Sequence, residues 1–236
     1  MIAEAEEAIN GLSEAIKKAA NAKTAQEEVN NAKEKVEKVK ELDKKYDTTN
    51  WDKTITDQQK VVDQIKEKEQ KEEADQVAAN KVKELIDALP TADQVTIEHE
   101  GTIKAAREAF NKLTAEQKAL VDIAKLEAVE STLKDAITNE QDVLEAKRVL
   151  DVEVKNPDRN PSLNVLKAGE KGTSIVWEST NSKYADASTG KVNRPNRKDG
   201  EQTVTLTATI TKGKAEVTQT FTVKVPVYLE VTVKKN

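Results

Sequence analysis

The sequence predicts two small helical bundles followed by an antiparallel β-sandwich, and three observations carry that prediction. Apolar residues recur at heptad spacing through the first part of the chain. Glycine and proline are unevenly spread: Gly11, Gly101 and Pro90 are the only ones before residue 140, and five glycines and four prolines follow. Because these residues punctuate turns, a helical region gives way to a turn-rich one near that point. Beyond residue 174, short stretches alternate apolar and polar side chains, as half-buried strands do.

The elements can be justified in order. Ile2, Ile9 and Ile16 recur every seven residues, with Ala5, Leu12 and Ala19 three residues after each, which lays one apolar seam along a first helix. Thr24 and Glu27 have the spacing of a capping box and are expected to start a second helix. Its seam is Ala25, Val29, Ala32, Val36 and Val39. Residues 46–50 (YDTTN) break the pattern as a turn. A third helix then carries Trp51, Ile55, Val62 and Ile65, and three amphipathic helices with short connections form an antiparallel bundle.

The third helix is expected to run on. Residues 66–73 (KEKEQKEE) contain neither an apolar residue nor a breaker and favour helix throughout. The apolar pattern resumes at Ala74, Ala78, Val82, Leu85 and Leu89 and stops before Pro90. One helix over residues 52–89 would be roughly 57 Å long and would be shared by two bundles. In the second bundle Thr96 caps a helix carrying Ile103, Ala106, Phe110 and Leu113. Thr114 with Gln117 caps a short turn of helix, and Ile123, Leu126, Val129, Leu133 and Ile137 face inward from the last helix. A separate short helix over residues 142–150 leads into the strands. There Ile175 and Trp177 share one face, Val204, Leu206, Ala208 and Ile210 another, and Val217, Phe221, Val223 and Val225 a third. Residues 211–214 (TKGK) join the last two strands as a hairpin.

Composition narrows the functional classes. Charged residues make up 34% of the 236 and aromatics 3%, a balance suited to thin, solvated helices rather than one thick core. The 38 basic and 43 acidic residues are interleaved, so no basic face is laid out for nucleic acid. No apolar run approaches the ~20 residues of a membrane span, and membrane insertion is not expected. Without cysteine there is no disulfide, thiolate nucleophile or cysteine metal site. Residues 1–21 are amphipathic and acidic, unlike a secretory leader, so the chain reads as a fragment lacking its signal peptide.

Two stretches resemble known families. Residues 81–133 (KVKELIDALPTADQVTIEHEGTIKAAREAFNKLTAEQKALVDIAKLEAVESTL) are similar to a helical repeat of Gram-positive cell-surface and S-layer proteins. The similarity lies in ALP closing a helix, then A-R-x-x-F-x-x-L-T-x-x-Q-K-x-L-V, then L-x-x-x-E; LVDIAKLE is one residue shorter than the usual spacing. Residues 142–225 resemble the atrophied bacterial Ig-like domain through GTSIVWESTNSKYADASTGKVNRP and TVTLTATITKGKAEVTQTFTVKV, with DVLEAKRVL as its leading helix. The loop KNPDRNPSLN departs most from that pattern. The resemblance implies export, an extracellular cell-wall or S-layer location and a scaffolding role, with no catalytic residues to carry over. Related Ig-like domains can carry a Lys–Asn isopeptide crosslink, but TFTVKVPVYLEV supplies no Asn for one.

Candidate chemistry is sparse. His99, the only histidine, lies in a polar stretch without the nucleophile and orienting group a base requires. The acidic pairs Glu6/Glu7, Glu72/Glu73 and Asp142/Glu145 fall on expected exposed helix faces, where lysines solvate and pair them. Asp158, in the loop NPDRN, offers an oxygen ligand for calcium, although an Asx turn beside proline accounts for the same residues. Trp177 reads as core. Trp51 and Tyr46 flank a helix turn, either as a staple or as a glycan contact.

Taken together, the readings predict three domains: 1–70, a three-helix coiled-coil-like bundle; 71–138, a second three-helix bundle; and 139–236, an Ig-like β-sandwich. The expected role is a non-catalytic spacer of an S-layer-like cell-surface protein, serving surface-layer assembly or presentation. The alternative is an adhesin or cell-wall polysaccharide-binding module acting through the helical part. Expected partners are further copies or neighbouring surface-protein subunits, with cell-wall polysaccharide as a further candidate. No cofactor is expected, and calcium is the one candidate ligand.

Overall fold

The structure, a computed structural model, describes residues 1–152, 154–155 and 161–227. Six helices precede the strands: α1 (Ile2–Lys18), α2 (Ala22–Leu42), α3 (Thr49–Asp87), α4 (Glu100–Asn111), α5 (Ala115–Lys118) and α6 (Ala124–Val149). Short 3-10 turns at Ala92–Gln94 and Ile97–His99 lie between α3 and α4. The strands are β1 (Val154–Lys155), β2 (Ser162–Leu163), β3 (Ser174–Ser179), β4 (Ala185–Asp186), β5 (Lys191–Val192), β6 (Gln202–Lys212) and β7 (Ala215–Val225). The chain forms two compact units, one of residues 1–88 with 108–122, the other of residues 89–107 with 123–236.

In the first unit the heptad seams become one core. Ile9, Leu12 and Ile16 of α1 meet Ala25, Val29, Ala32 and Val36 of α2 and Ile55 and Val62 of α3. Every residue of the expected α2 seam is buried. Much of that seam is Ala and Val, so each residue removes little area from water, and close helix approach compensates. The start of α2 differs from expectation: Asn21, not Thr24, is the cap. The Asn21 side chain accepts from the Thr24 amide at 2.9 Å, and Thr24 Oγ1 accepts from the Asn21 amide at 3.2 Å. The helix begins earlier because Ala22 as well as Ala25 is buried. Helix α3 is continuous through residues 66–73, as its propensities require, and all of them are exposed except Glu69. Glu69 is half-buried because its carboxylate accepts the otherwise unpaired Ala22 amide at 2.9 Å, anchoring the free N-terminus of α2.

In the second unit α6 is a single helix, where two were expected. Residues 138–141 (TNEQ) are indifferent helix formers, but none is Gly or Pro, and the Thr138 hydroxyl bonds back to the Lys134 carbonyl at 2.9 Å. The four short strands pair in the order β1-β2-β5-β4 and the long ones in the order β3-β6-β7, antiparallel throughout. Val204, Leu206, Ala208 and Ile210 of β6 are fully buried. They form one core with Ile175, Trp177, Val223 and Val225 of the same sheet, Leu163, Ala185 and Val192 of the other, and Val143, Ala146 and Leu150 of α6. The short-stranded sheet supplies little area, and the C-terminal half of α6 covers what it leaves open.

The opposite face of the long-stranded sheet carries threonine. Thr203, Thr205, Thr207, Thr209 and Thr211 of β6 stand beside Thr218, Thr220 and Thr222 of β7, with Thr205–Thr222, Thr207–Thr220 and Thr209–Thr218 directly opposed. The β6–β7 loop is Gly213-Lys214. Only Gly213 has positive φ, +56°, the pattern of a type II′ turn.

Between β4 and β5 the chain turns around Asp186. Its carboxylate accepts from the Ser188 amide (2.9 Å) and hydroxyl (2.7 Å) and from the Thr189 amide (3.3 Å) and hydroxyl (2.7 Å). These bonds, led by the Thr189 hydroxyl, hold its pKa at about 2, below the ordinary 3.8. A depressed carboxylate contributes stability that is present above its unfolded pKa and is lost as pH falls through the folded value. The thermal midpoints of the native chain and Asp186→Ala should therefore differ at neutral pH and converge as pH falls from about 4 to about 2. A gap indifferent to pH would show that the turn owes nothing to the ionised carboxylate.

Candidate functional site

The residues singled out by sequence are held by structural partners. Trp51, in the first turn of α3, packs against the core of the first unit and leans on Tyr46, with ring centroids 5.1 Å apart and planes tilted by 38°. Beside the rings, Lys40 reaches from the last turn of α2 to Asp52 at 2.8 Å, and the Thr48 hydroxyl donates to the same carboxylate at 2.9 Å. Burial pushes the Asp52 carboxyl up, but Lys40 and Thr48 outweigh it and leave it below the ordinary range. Ring pair and ion pair together fasten the α2–α3 turn, the arrangement a staple requires.

His99 caps rather than catalyses. Its Nδ1 accepts the Thr96 amide at 3.1 Å and lies 3.0 Å from the Thr96 hydroxyl, closing the turn that leads into α4. Thr114 and Gln117 form the expected capping box at α5, and Gln117 also donates to Asp75 of α3 at 2.8 Å. Trp177 is 9% exposed, donates its indole N–H to the Leu166 carbonyl at 2.7 Å and lies 5.7 Å from the Phe221 ring.

The acidic pairs divide. Glu6, Glu7, Glu72 and Glu73 are exposed, and Glu145 pairs with Arg148 at 2.7 Å. Asp142 corrects the expectation of an exposed face: it is buried, with Lys212 of β6 at 2.6 Å and Lys171 at 3.4 Å. The Lys212 bond foremost holds the carboxyl below its ordinary range, so it is an ionised anchor rather than a proton donor. One sequence signal could have revealed it. Residues 139, 142, 143, 146 and 150 share one helix stripe, and Val143, Ala146 and Leu150 mark that stripe as core. Nearby, Gly213 lies so close to Asn139 that an added Cβ would come within 2.6 Å of its amide nitrogen, and Lys214 donates to the Asp93 carbonyl. The hairpin tip is thus docked on α6 and on the preceding 3-10 turn.

The first unit has an open groove between α2 and α3, lined by polar groups including Gln26, Glu27, Asn30, Lys66, Gln70 and Glu73. The amides of Gln26 and Gln59 bond reciprocally at 2.6 and 2.8 Å. Among the described residues no three His, Cys, Asp or Glu side chains converge as a metal would need. Asp158, the calcium candidate, lies outside the described residues. No helix among the described residues is long and apolar enough to cross a membrane.

Two antiparallel sheets closing on a common core, with a helix completing the smaller one, place the C-terminal part in the class of Ig-like domains. Residues 143–227 match the family model of the atrophied bacterial Ig domain. The match opens inside α6, at the first of its core residues, and ends just beyond β7. No curated protein matches the chain. A bacterial Ig-like domain of this kind suggests a non-catalytic surface protein.

Proposed function

We propose that the chain is a non-catalytic spacer of a Gram-positive cell-surface protein of S-layer type, acting outside the cell in surface-layer assembly or presentation. The Ig-like match at residues 143–227 carries this reading. It is supported by the structural employment of each candidate residue: Trp177 in a core, His99 in a cap, Asp142 in an ion pair and Trp51 against a helix seam. The finer architecture read from the sequence, two three-helix bundles sharing one long helix, belongs to the same proposal, as does association with further copies or neighbouring subunits. The polysaccharide-binding alternative is not favoured, because its two aromatic rings contact each other and the core.

Calorimetric titration tests the reading. Purified cell-wall polysaccharide should give no saturable heat. Micromolar binding that disappears when Trp51 and Tyr46 are both replaced by alanine would make the chain a polysaccharide-binding module instead. Calcium, titrated separately, would be a ligand of the scaffold without changing its class.

A further inference from the structure

Strand β7 ends its sheet, and its free edge is long and unprotected. The two-residue loop makes Lys212 and Ala215 a hydrogen-bonded pair. Bonded and non-bonded pairs alternate from there, so β7 spends the backbone groups of its odd-numbered residues on β6. The N–H and C=O groups of Glu216, Thr218, Thr220, Thr222 and Lys224 point away from β6, and all five side chains are exposed. Among the described residues the one hydrogen-bond partner along that edge is the Gln219 amide, which donates to the Thr220 carbonyl at 3.0 Å. The opposite edge, at β3, is partly closed, because the Ile175 amide donates to the Lys167 carbonyl at 3.0 Å. Natural edge strands are usually blunted by proline, a bulge, a central charge or shortness. β7 is 11 residues long, pairs without interruption, and carries charge only near its two ends.

The sequence of β7 is also complementary to itself. We propose that its edge is an interface between two copies of this chain, paired antiparallel about a two-fold axis through Thr220. In that register Glu216 stands opposite Lys224 of the other copy at both ends, Thr218 opposite Thr222, and Thr220 opposite itself. Val217 meets Val223 on the inner face, and Gln219 meets Phe221. Val217, Gln219 and Phe221 are only half-buried, so α6 does not seal the inner side of the edge. About ten backbone hydrogen bonds would form, the Gln219 bond giving way to one of them. The contact is isologous and closes at two copies, joining two three-stranded sheets into one.

The purpose of this pairing rests on the scaffold reading, but its test does not. Sedimentation of the full chain over a range of concentrations should show a monomer–dimer equilibrium. Glu216→Lys or Lys224→Glu alone should weaken it about tenfold or more, since each makes two symmetry-related pairs repulsive. The double exchange should restore it. Thr220→Pro, at an edge position whose N–H faces outward, should abolish it while near-ultraviolet dichroism from Trp177 shows the core intact. A chain that stays monomeric up to about 1 mM overturns the proposal, as does a dimer indifferent to the charge reversals. Either result leaves the scaffold reading standing, because that reading is tested by polysaccharide and not by sedimentation.

Discussion

Replacing Trp177 with alanine is expected to destabilise the Ig-like domain by about 3–5 kcal/mol, the cost of deleting a large buried aromatic. The indole fills the space between β3 and Phe221, and its N–H satisfies the Leu166 carbonyl, so the substitution leaves both a cavity and an unpaired acceptor. The C-terminal half of α6 should lose order in the same transition, because Val143, Ala146 and Leu150 belong to the core that Trp177 fills. The core of α1, α2 and α3 contains none of these residues. Denaturant titration followed by near- and far-ultraviolet dichroism checks both statements. A loss below about 1 kcal/mol would mean the ring contributes like a surface side chain.

Glu69→Pro should cost about 3 kcal/mol or more. Proline in the middle of α3 removes one backbone hydrogen bond and clashes with the preceding turn, and the substitution also deletes the acceptor of the Ala22 amide. Glu69→Ala separates the two effects, since it keeps the helix and removes only the acceptor; a loss of about 0.5–2 kcal/mol is expected, as for an N-cap. Urea titration of the helical signal measures both. Equal losses in the two variants would place the whole effect in the Ala22 contact and none in the continuity of α3.

What the sequence made legible was periodic. The α2 seam and the alternation of Val204, Leu206, Ala208 and Ile210 are local patterns, and all of these residues are buried. The Thr114–Gln117 box was legible for the same reason, its two members being one helical turn apart. Glu69 and Asp142 were not, because their partners lie 47 and 70 residues away and a charged side chain announces nothing about a distant lysine or amide. The continuity of α6 was missed because weak helix formers at residues 138–141 resemble a boundary, and packing against the sheet outweighs a few tenths of a kcal/mol of propensity. Of the candidate site residues, Trp177 was read correctly as core from its phase with Ile175 alone.

The threonine face of the long-stranded sheet has a consequence for the setting in which the protein would work. Hydroxyls do not titrate in the range of natural waters, and β-branched side chains hold a strand without offering an apolar patch to foul. Eight threonines therefore give this face a water coat that is the same in fresh or salty, acidic or alkaline surroundings. Screening by salt acts only on the charges at its margins, Glu178, Glu216 and Lys224. A surface exposed to a medium the cell does not control would keep its hydration constant and confine its sensitivity to ionic strength to the rim.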